Sequence, residues 1–346
     1  MRTLIRSSIR DLCAYTPGEQ PKRRGLIKLN TNENPYPPSP RVKAVLECLE
    51  PGDLRRYPDP ASSTLRQVIA DLHGVKREQV FVGNGSDEIL ALCTRAFVED
   101  DGAIGYFEPS YSLYPVLAAI RNVAGIACAL TDRLEWPEVG PRPASLFFLA
   151  NPNAPTSMLF PKSRVKAFCE SFPGVVLIDE AYVDFAREDC LDLARTRANV
   201  LVMRTLSKSY SLAGIRLGYT VGPEALIEAL FKIKDSYNVD CLTQEVATVA
   251  LTDQAHMQHN VSRIKTTRDR LARDLAMLGF TVCPSETNFL WVRPGRRGAQ
   301  DVFEALKARD VLVRYFPGER TGEYLRITVG SDEEVDCLLA ALPVDC

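Results

Sequence analysis

The chain has 346 residues, of which 46% are hydrophobic and 25% charged, and its formal net charge is -2. This length exceeds a usual single core, so we expect one large domain and one smaller one, with the composition of a globular protein. The near balance of charge excludes the general electrostatic attraction that draws proteins to nucleic acid or to an anionic membrane.

The N-terminal segment predicts a short amphipathic arm, because Ile5, Ile9 and Leu12 fall at helical spacing. MRTLIRSSIR lacks the apolar run of a signal peptide, so we expect none. No run approaches the length of a membrane span. The proline-rich stretch NPYPPSPR at 34–41 marks the first break in the chain.

Six short apolar runs follow within residues 79–221, separated by polar, helix-compatible segments. They read QVFV, AIGYF, SLFFLA, GVVLI, NVLVM and LGYTV. Continuously apolar runs of this length are typical of strands covered on both faces, so the pattern predicts an α/β doubly wound sheet. A long helical stretch is predicted after about residue 240, followed by the strands TNFLWVR, DVLVRYF and YLRITVG of a second, partly antiparallel domain.

The metal-binding residue types show no convincing pattern. The 10 cysteines contain no CxxC pair, which argues against a zinc site or a disulfide framework and favours a reducing cytoplasm. His256 and His259 could share one helix face, but an ordinary surface helix is the better interpretation of HMQH. We therefore expect no metal.

Ligands of open parallel sheets bind beyond the carboxyl ends of the strands, so the residues there are the candidates. After QVFV, Gly83 and Gly85 allow a tight turn, and Ser86 and Asp87 open a helix whose free N–H groups could hold a phosphate. An ordinary capped helix is the alternative.

Three other strand ends carry candidate side chains. Asp179 ends a buried strand, where a carboxylate is costly unless it meets a cation or a protonated heterocycle, although it could also cap the next helix. Tyr182 follows it closely. Tyr111 offers a ring that could stack on a flat ligand, and two X-Pro steps hold Asn153 in a rigid turn.

The stretch TLSKSYSLAGIRLGYT collects donors and cations after the fifth run. Burial and a cationic neighbour would lower the pKa of Lys208 and expose an amine able to form a Schiff base. Arg216 suits a phosphate dianion, with hydroxyl donors from Thr205 and Ser207. A basic surface loop is the alternative, but an electron-sink cofactor with a phosphate accounts for all the strand ends together.

These motifs in chain order resemble those of fold-type I pyridoxal-phosphate enzymes, and within them the histidinol-phosphate aminotransferase family. The motifs are AYTPGEQ, LNTNENPYPPSP, RRYPDP, GNGSDEIL, EPSYSLY, NPNAPT, LIDEAYVDF, TLSKSYSLAGIRLGY, TNFLWVR and YLRITVG. The resemblance implies a large domain with a mostly parallel seven-stranded sheet covered by helices and a smaller α/β C-terminal domain. Its expected boundaries are an arm at 1–30, a joining segment at 31–53, the large domain at 54–240 and the small domain at 241–346.

The resemblance also implies pyridoxal 5'-phosphate and a role for each candidate residue. Lys208 would form the Schiff base and move the proton, Asp179 would hold the ring nitrogen protonated, and Tyr182 would donate to the phenolate oxygen. Tyr111 would stack on the ring, with Asn153 and Thr205 nearby. The phosphate would be surrounded by Gly85, Ser86, Asp87, Ser207 and Arg216. Tyr57 would reach the phosphate of the neighbouring subunit, which implies a homodimer.

For the substrate, the resemblance points to Tyr15, Asn32, Arg314 and Arg326. Two arginines would let one site accept both histidinol phosphate and glutamate. Arg326 lies in an alternating strand, so a solvent-facing arginine is the alternative there. The chain departs from the family pattern NPNNPTG, because Ala154 replaces an asparagine that donates to the phenolate oxygen and Ser157 replaces glycine.

The leading hypothesis is transamination between histidinol phosphate and 2-oxoglutarate in histidine biosynthesis. A threonine-phosphate decarboxylase or an aromatic amino acid aminotransferase is the second reading, since these share the scaffold and the acid anchors. A regulator that only senses the cofactor is the third, but it would need a basic DNA-binding domain, and we expect none before Tyr15.

Overall fold

The structure is a computed structural model that describes residues 4–22, 25–48, 50–138 and 144–343. Residues 1–3 and 23–24 of the predicted arm therefore lie outside the described residues. Within the described ranges, no helix is both long and apolar enough to cross a membrane.

The N-terminal segment contains a short helix α1 (Ser7–Arg10), a strand β1 (Ile27–Lys28) and a helix α2 (Pro40–Cys48). The predicted amphipathic arm is only one turn of helix, and Ile5 and Ile9 remain 57% and 38% exposed. Strand β1 pairs in parallel with a strand near the C-terminus, Val311–Leu312. The N-terminal segment is therefore attached to the C-terminal part of the chain.

A seven-stranded sheet forms the centre of the molecule, as predicted. Its strands are β2 (Val80–Asn84), β3 (Ala103–Glu108), β4 (Ala124–Ala129), β5 (Leu146–Ala150), β6 (Val175–Asp179), β7 (Val200–Thr205) and β8 (Leu217–Val221). They lie in the order β2-β8-β7-β6-β5-β3-β4. The pairs of β8 with β2 and β7 are antiparallel and the other pairs are parallel, so the sheet is mostly parallel.

The reversed strand follows from the length of its connection. Residues 206–216 join β7 to β8 without a crossover helix, and so short a link favours an antiparallel neighbour because parallel strands need a longer crossover. This link carries Lys208 and Arg216. It therefore folds over the carboxyl end of β7 instead of crossing the sheet.

One strand of this sheet was missed by the apolar runs. β4 lies at the edge of the sheet and its residues are mostly exposed or half-exposed. An edge strand does not need a continuous apolar run, because only part of its surface meets the core.

Helices cover both faces of the sheet. They are α3 (Ser63–His73), α4 (Ser86–Phe97), α5 (Leu113–Arg121), α6 (Lys162–Ser171), α7 (Leu191–Thr196) and α8 (Glu224–Ile233). Successive residues of β6 point to opposite cores: Val176 and Ile178 pack in one buried cluster and Leu177 in the other. Burial on both faces is the reason why the strands read as continuous apolar runs.

The C-terminal part builds its own sheet and core. Its elements are α9 (Cys241–Thr252), α10 (Gln254–Met277), β9 (Thr281–Val282), β10 (Phe289–Arg293), α11 (Ala299–Ala308), β11 (Val311–Leu312), β12 (Arg314–Tyr315), β13 (Leu325–Thr328) and α12 (Asp332–Ala341). Four strands form an antiparallel sheet in the order β12-β13-β10-β9, beside a third buried cluster. The domain boundaries given above stay a prediction.

The predicted long helical stretch after residue 240 is two helices. Asp253 separates them: its side chain accepts from the backbone N–H of His256 at 3.4 Å, which caps α10, and from the hydroxyl of Ser39 at 2.5 Å. His256 turns its ring nitrogen Nε2 to the carbonyl of Pro37 at 3.1 Å. No group of potential metal ligands occurs among the described residues.

Candidate active site

A cavity of about 600 Å³ opens at the carboxyl ends of the large sheet. Its floor is made by the ends of β5, β6 and β7, its side by the start of α4, and its cover by β13 and the segment 314–321. The walls therefore come from both sheets. This is the edge at which ligands of open α/β sheets bind.

Lys208 lies in this cavity, on the link between β7 and β8. Its Nζ donates to the backbone carbonyl of Thr31 at 3.3 Å and lies 5.8 Å from the centre of the Tyr182 ring. Burial, helped by the charges of Arg326 and Arg216, lowers the pKa of Lys208 to about 8. At pH 7 roughly a tenth of the amine is therefore unprotonated, far more than for an ordinary lysine, and the unprotonated form is the one that a nucleophile requires.

Asp179 is the last residue of β6, and its side chain is buried at the cavity floor. The hydroxyl of Tyr114 donates to one carboxyl oxygen at 2.8 Å, and the backbone N–H of Ala181 donates to the other at 3.1 Å. Burial raises the pKa of Asp179 to about 6, against the opposing effect of these two donors. A carboxylate held in this way can pair with a cationic ring nitrogen.

A cradle for an anion lies between the start of α4 and the β7–β8 link. Gly85 precedes Ser86, the first residue of α4, and has φ +80°; a Cβ there would lie 2.5 Å from the guanidinium of Arg216. Only glycine allows this close approach without strain. Arg216 lies 3.5 Å from the hydroxyl of Ser207 and 4.0 Å from the carboxylate of Asp87. Free N–H groups at a helix start beside an arginine suit a phosphate.

Hydroxyl groups complete the cradle. The hydroxyls of Thr205 and Ser207 are 3.0 Å apart, both residues are buried, and both line the cavity. Thr205 also accepts from the backbone N–H of Ser207 at 3.2 Å, which orients the start of the link.

Two tyrosine rings form one wall. Tyr111 donates to Asp87 at 3.3 Å and meets the edge of Tyr15, with ring centres 5.7 Å apart. The rings thus stand at the cavity, where a flat ligand could stack on the face of Tyr111.

Tyr182 and Asn32 meet at the opposite wall. The side-chain amide nitrogen of Asn32 donates to the Tyr182 hydroxyl at 2.9 Å, and the hydroxyl of Thr328 in β13 donates to the side-chain oxygen Oδ1 of Asn32 at 3.0 Å. Burial raises the pKa of Tyr182, so its hydroxyl keeps a proton that it can donate into the cavity. This chain of contacts connects the two sheets.

Arg326 faces the cavity, so the solvent-facing alternative is wrong. Its guanidinium lies 5.3 Å from the Phe289 ring and 5.2 Å from the Phe316 ring, and one nitrogen donates to the carbonyl of Asn30 at 3.0 Å. Its buried Nε has no hydrogen-bond partner among the described residues. A buried donor without a partner is costly, so an acceptor on a bound ligand would relieve that cost.

Arg314 also lines the cavity but is already engaged. It donates to the backbone carbonyls of Thr16 and Pro17 at 2.8 and 3.1 Å, and so fastens the N-terminal segment next to Tyr15.

Most of the predicted residues line this one cavity: Tyr15, Asn32, Ser86, Asp87, Tyr111, Asp179, Tyr182, Thr205, Ser207, Lys208, Arg216, Arg314 and Arg326. Gly85 does not line the cavity itself but packs against the guanidinium of Arg216. Asn153 is buried, with its amide donating to Pro109 and Thr156, and Ala154 lines the cavity beside it. Tyr57 lies outside the cavity, 80% exposed and stacked on Tyr237 at 4.3 Å.

Tyr114 was missed by the sequence analysis. It lies three residues after Tyr111 in EPSYSLY, but nothing in that motif indicates that its hydroxyl reaches Asp179, which is 65 positions away in the chain. Only the packing of α5 against the sheet brings the two together.

Comparison with known proteins agrees with this architecture. A family model described as aminotransferase class I and II matches residues 24–342, which is most of the chain. The fold and the site thus define an aminotransferase of class I and II.

Full-length relatives narrow the class further. The chain is 46% identical over 340 residues to histidinol-phosphate aminotransferase of Synechocystis sp., covering 98% of this chain and 97% of that protein. It is also 46% identical over 340 residues to histidinol-phosphate aminotransferase 1 of Bradyrhizobium diazoefficiens, covering 96% and 97%. The chain belongs to the histidinol-phosphate aminotransferase family.

Solved structures share the fold. Histidinol-phosphate aminotransferase from Sinorhizobium meliloti, in complex with pyridoxal-5'-phosphate, superposes with a TM-score of 0.87 at 25% identity, covering 99% of this chain and 97% of that one. L-threonine-O-3-phosphate decarboxylase from Porphyromonas gingivalis has a TM-score of 0.80 at 22% identity, covering 91% and 97%. The second likeness concerns the fold alone.

Proposed function

We propose that this protein is an aminotransferase that moves the amino group between L-histidinol phosphate and 2-oxoglutarate, using pyridoxal 5'-phosphate, in histidine biosynthesis. The observation that carries the proposal is one cavity that holds an amine of lowered pKa, a buried carboxylate, an anion cradle and an arginine with an unpaired buried donor. Relatives with this name match over nearly the whole chain.

The residues fit the cofactor chemically. The cradle of Ser86, Ser207 and Arg216 supplies donors for a phosphate, Asp179 supplies an acceptor for a ring nitrogen, and Tyr111 supplies a ring face. When bound, pyridoxal phosphate supplies an electron sink for the carbanion of the amino donor. Three separate anchors would hold its ring in one orientation, which is the main requirement for selective bond cleavage.

Lys208 would act at two stages. Its amine would hold the cofactor at the carbonyl carbon, and when free the same unprotonated amine would take a proton from the amino-bearing carbon of the donor and return it. A base is effective when its pKa is near the working pH, and the pKa of Lys208, lowered to about 8, meets this condition. The carbonyl of Thr31 orients its nitrogen.

Arg326 would bind the acidic end of each substrate. A phosphate of histidinol phosphate and the side-chain carboxylate of glutamate are both anions that accept charge-assisted hydrogen bonds from a guanidinium. The unpaired Nε and the apolar rings of Phe289 and Phe316 around it make such a contact strong, because little water competes there. Arg314 and Tyr15 would close the site from the arm side.

A half-reaction tests the activity. Purified holoenzyme is mixed separately with histidinol phosphate, phenylalanine and threonine phosphate, and the conversion of the cofactor to pyridoxamine phosphate is followed by its absorption. We expect conversion with histidinol phosphate. Conversion with phenylalanine alone would favour an aromatic amino acid aminotransferase, and release of carbon dioxide from threonine phosphate would favour a decarboxylase.

The proposal includes a homodimer in the cytoplasm, with Tyr57 completing the partner's phosphate site. Tyr57 lies outside its own cavity and is exposed, which leaves its hydroxyl available to a second copy. Tyr57→Phe should keep the stack on Tyr237 and weaken cofactor binding about tenfold, because one hydrogen bond to a charged group is lost. The affinity is measured by spectral titration of the apoenzyme and the mass by light scattering.

Tyr237→Phe is the matched control, since it removes the neighbouring hydroxyl of the same stack. A monomer in solution, or equal cofactor affinity in wild type and Tyr57→Phe, would contradict this part of the proposal.

Ala154 leads to a further prediction. By the family resemblance, an asparagine at this position would donate to the cofactor's phenolate oxygen and so lower the pKa of the Lys208 nitrogen when that nitrogen holds the cofactor. Here Tyr182 would be the main donor. Ala154→Asn should lower the pH midpoint of the visible absorption change of the bound cofactor by about 0.7 unit, the equivalent of one net hydrogen bond.

Asn153 does not readily take over this role, because its amide already donates to Pro109 at 3.0 Å and Thr156 at 2.8 Å and its oxygen accepts from Ser110 at 2.9 Å. Ala154→Leu, which adds a side chain of nearly the same shape as asparagine but no donor, is the control. An unchanged midpoint in Ala154→Asn would show that no donor is missing at this position.

A further inference from the structure

Tyr114 is a buried titratable side chain that contacts Asp179 from behind the cavity floor, and the proposed function gives it no role. It lies in the first turn of α5, is fully buried, and donates to Asp179 at 2.8 Å. Burial raises the pKa of Tyr114 far above its ordinary value, so the hydroxyl remains a proton donor at any working pH.

The orientation of this hydroxyl is fixed by packing. The Tyr114 ring lies 4.9 Å from the Phe148 ring and meets the Tyr111 ring edge-on at 5.6 Å. The backbone N–H of Ala181 holds the other carboxyl oxygen of Asp179. The two donors come from different elements and bind different oxygens, so together they fix the plane of the carboxyl group.

We propose that Tyr114 is a positioning residue for the reaction: its hydroxyl holds the Asp179 carboxylate in the orientation and the ionised form in which it pairs with the ring nitrogen of the cofactor. This inference rests on the proposed function. Without the hydroxyl, the carboxylate would lose a donor in a buried place, become more basic and draw the shared proton away from the ring nitrogen. A neutral ring nitrogen makes a weaker electron sink.

Other charged and titratable groups around Asp179 do not replace this hydroxyl. Asp87 opposes ionisation of Asp179, and Lys208 favours it more weakly than Tyr114 does. Glu180 points away, to Arg204 at 2.8 Å. Tyr182 is engaged with Asn32. Among the described residues, Tyr114 is the side chain that hydrogen-bonds to the Asp179 carboxyl group.

The test is the ¹⁵N resonance of isotopically labelled cofactor bound to the full-length enzyme, which reports the protonation of the ring nitrogen directly. In Tyr114→Phe we expect this resonance to move toward the value of neutral pyridine and the cofactor dissociation constant to rise about tenfold, as for loss of a hydrogen bond to a charged group. Tyr219→Phe is the matched control: it is a buried tyrosine whose hydroxyl lies 2.8 Å from His73 and outside the cavity. It should leave the resonance unchanged.

An unmoved resonance in Tyr114→Phe, or an equal movement in both variants, overturns the proposal. If Tyr114→Phe does not fold, 4-aminophenylalanine at position 114 decides the matter, since its amine is a weaker donor than the hydroxyl at nearly the same size and should move the resonance toward the neutral form; no movement overturns the proposal. The Asp179→Ala variant distinguishes a failure of the proposed function from a failure of the positioning role of Tyr114. If that variant leaves the ring nitrogen protonated, the role proposed for Asp179 fails, whereas a neutral nitrogen in Asp179→Ala with no change in Tyr114→Phe refutes the positioning role alone.

Discussion

Lys208→Ala should abolish the visible absorption band of the bound cofactor and lower turnover by about four orders of magnitude or more. The amine is the nucleophile toward the cofactor and the proposed base, and proton transfer by a positioned base alone contributes about 10²–10⁴-fold. No other lysine lines the cavity in the described part of the chain. Absorption spectroscopy of the purified variant and steady-state rates give the measurement.

Lys208→Arg is the matched control, because it keeps a positive charge but cannot supply a free amine. We expect it to be as inactive as the alanine variant. The assignment is checked independently by borohydride reduction of the wild-type holoenzyme followed by peptide mapping: a cofactor label on any other lysine would refute it.

Arg326→Gln should lower kcat/KM about ten- to a hundredfold in the half-reactions with both histidinol phosphate and glutamate. The guanidinium makes a charge-assisted contact worth about 1.5–3 kcal/mol, and glutamine retains the hydrogen-bonding capacity but removes the charge. The loss should be similar for both donors, because one arginine serves the phosphate and the carboxylate in turn. Stopped-flow absorption of each half-reaction measures it.

Arg293→Gln is the control for a general loss of stability in the four-stranded sheet of the C-terminal part. Arg293 ends the neighbouring strand β10, points away from the cavity and pairs with Glu323 at the surface. The Arg293→Gln substitution should leave the rates of both half-reactions unchanged. If Arg326→Gln left both half-reactions unchanged, Arg326 would not bind substrate, whatever its position at the cavity.

The strands of the large sheet were predictable in proportion to their burial. Leu146–Ala150, Val200–Thr205 and the other central strands are covered on both faces, so each appears as a continuous apolar run. The edge strand Ala124–Ala129 lacks that cover and was missed. The direction of Leu217–Val221 could not be read from its residues, because a buried strand has the same composition in either direction.

The candidate site shows a similar division. Lys208, Asp179 and Ser86 were identifiable because each ends a strand or lies within three residues of a strand end, and such ends meet at one edge of the sheet. The sequence did not determine whether Arg326 faces the cavity or the solvent. An alternating strand has two faces, and its residues do not show which face is covered. Its cover comes from Phe289 and Phe316, which lie in other elements.

The amino-acid sequence by itself thus determined the type of fold, the position of most strand ends and the chemical groups there. These features depend on apolar runs, glycines and charged residues within a few neighbouring positions of the chain. The tertiary structure alone decided which groups touch. Tyr114 reaches Asp179 across 65 positions, and Asn32 connects Tyr182 to Thr328 across 150 and 296 positions. Such contacts depend on how helices and sheets pack, and packing is set by the whole core and not by any one segment.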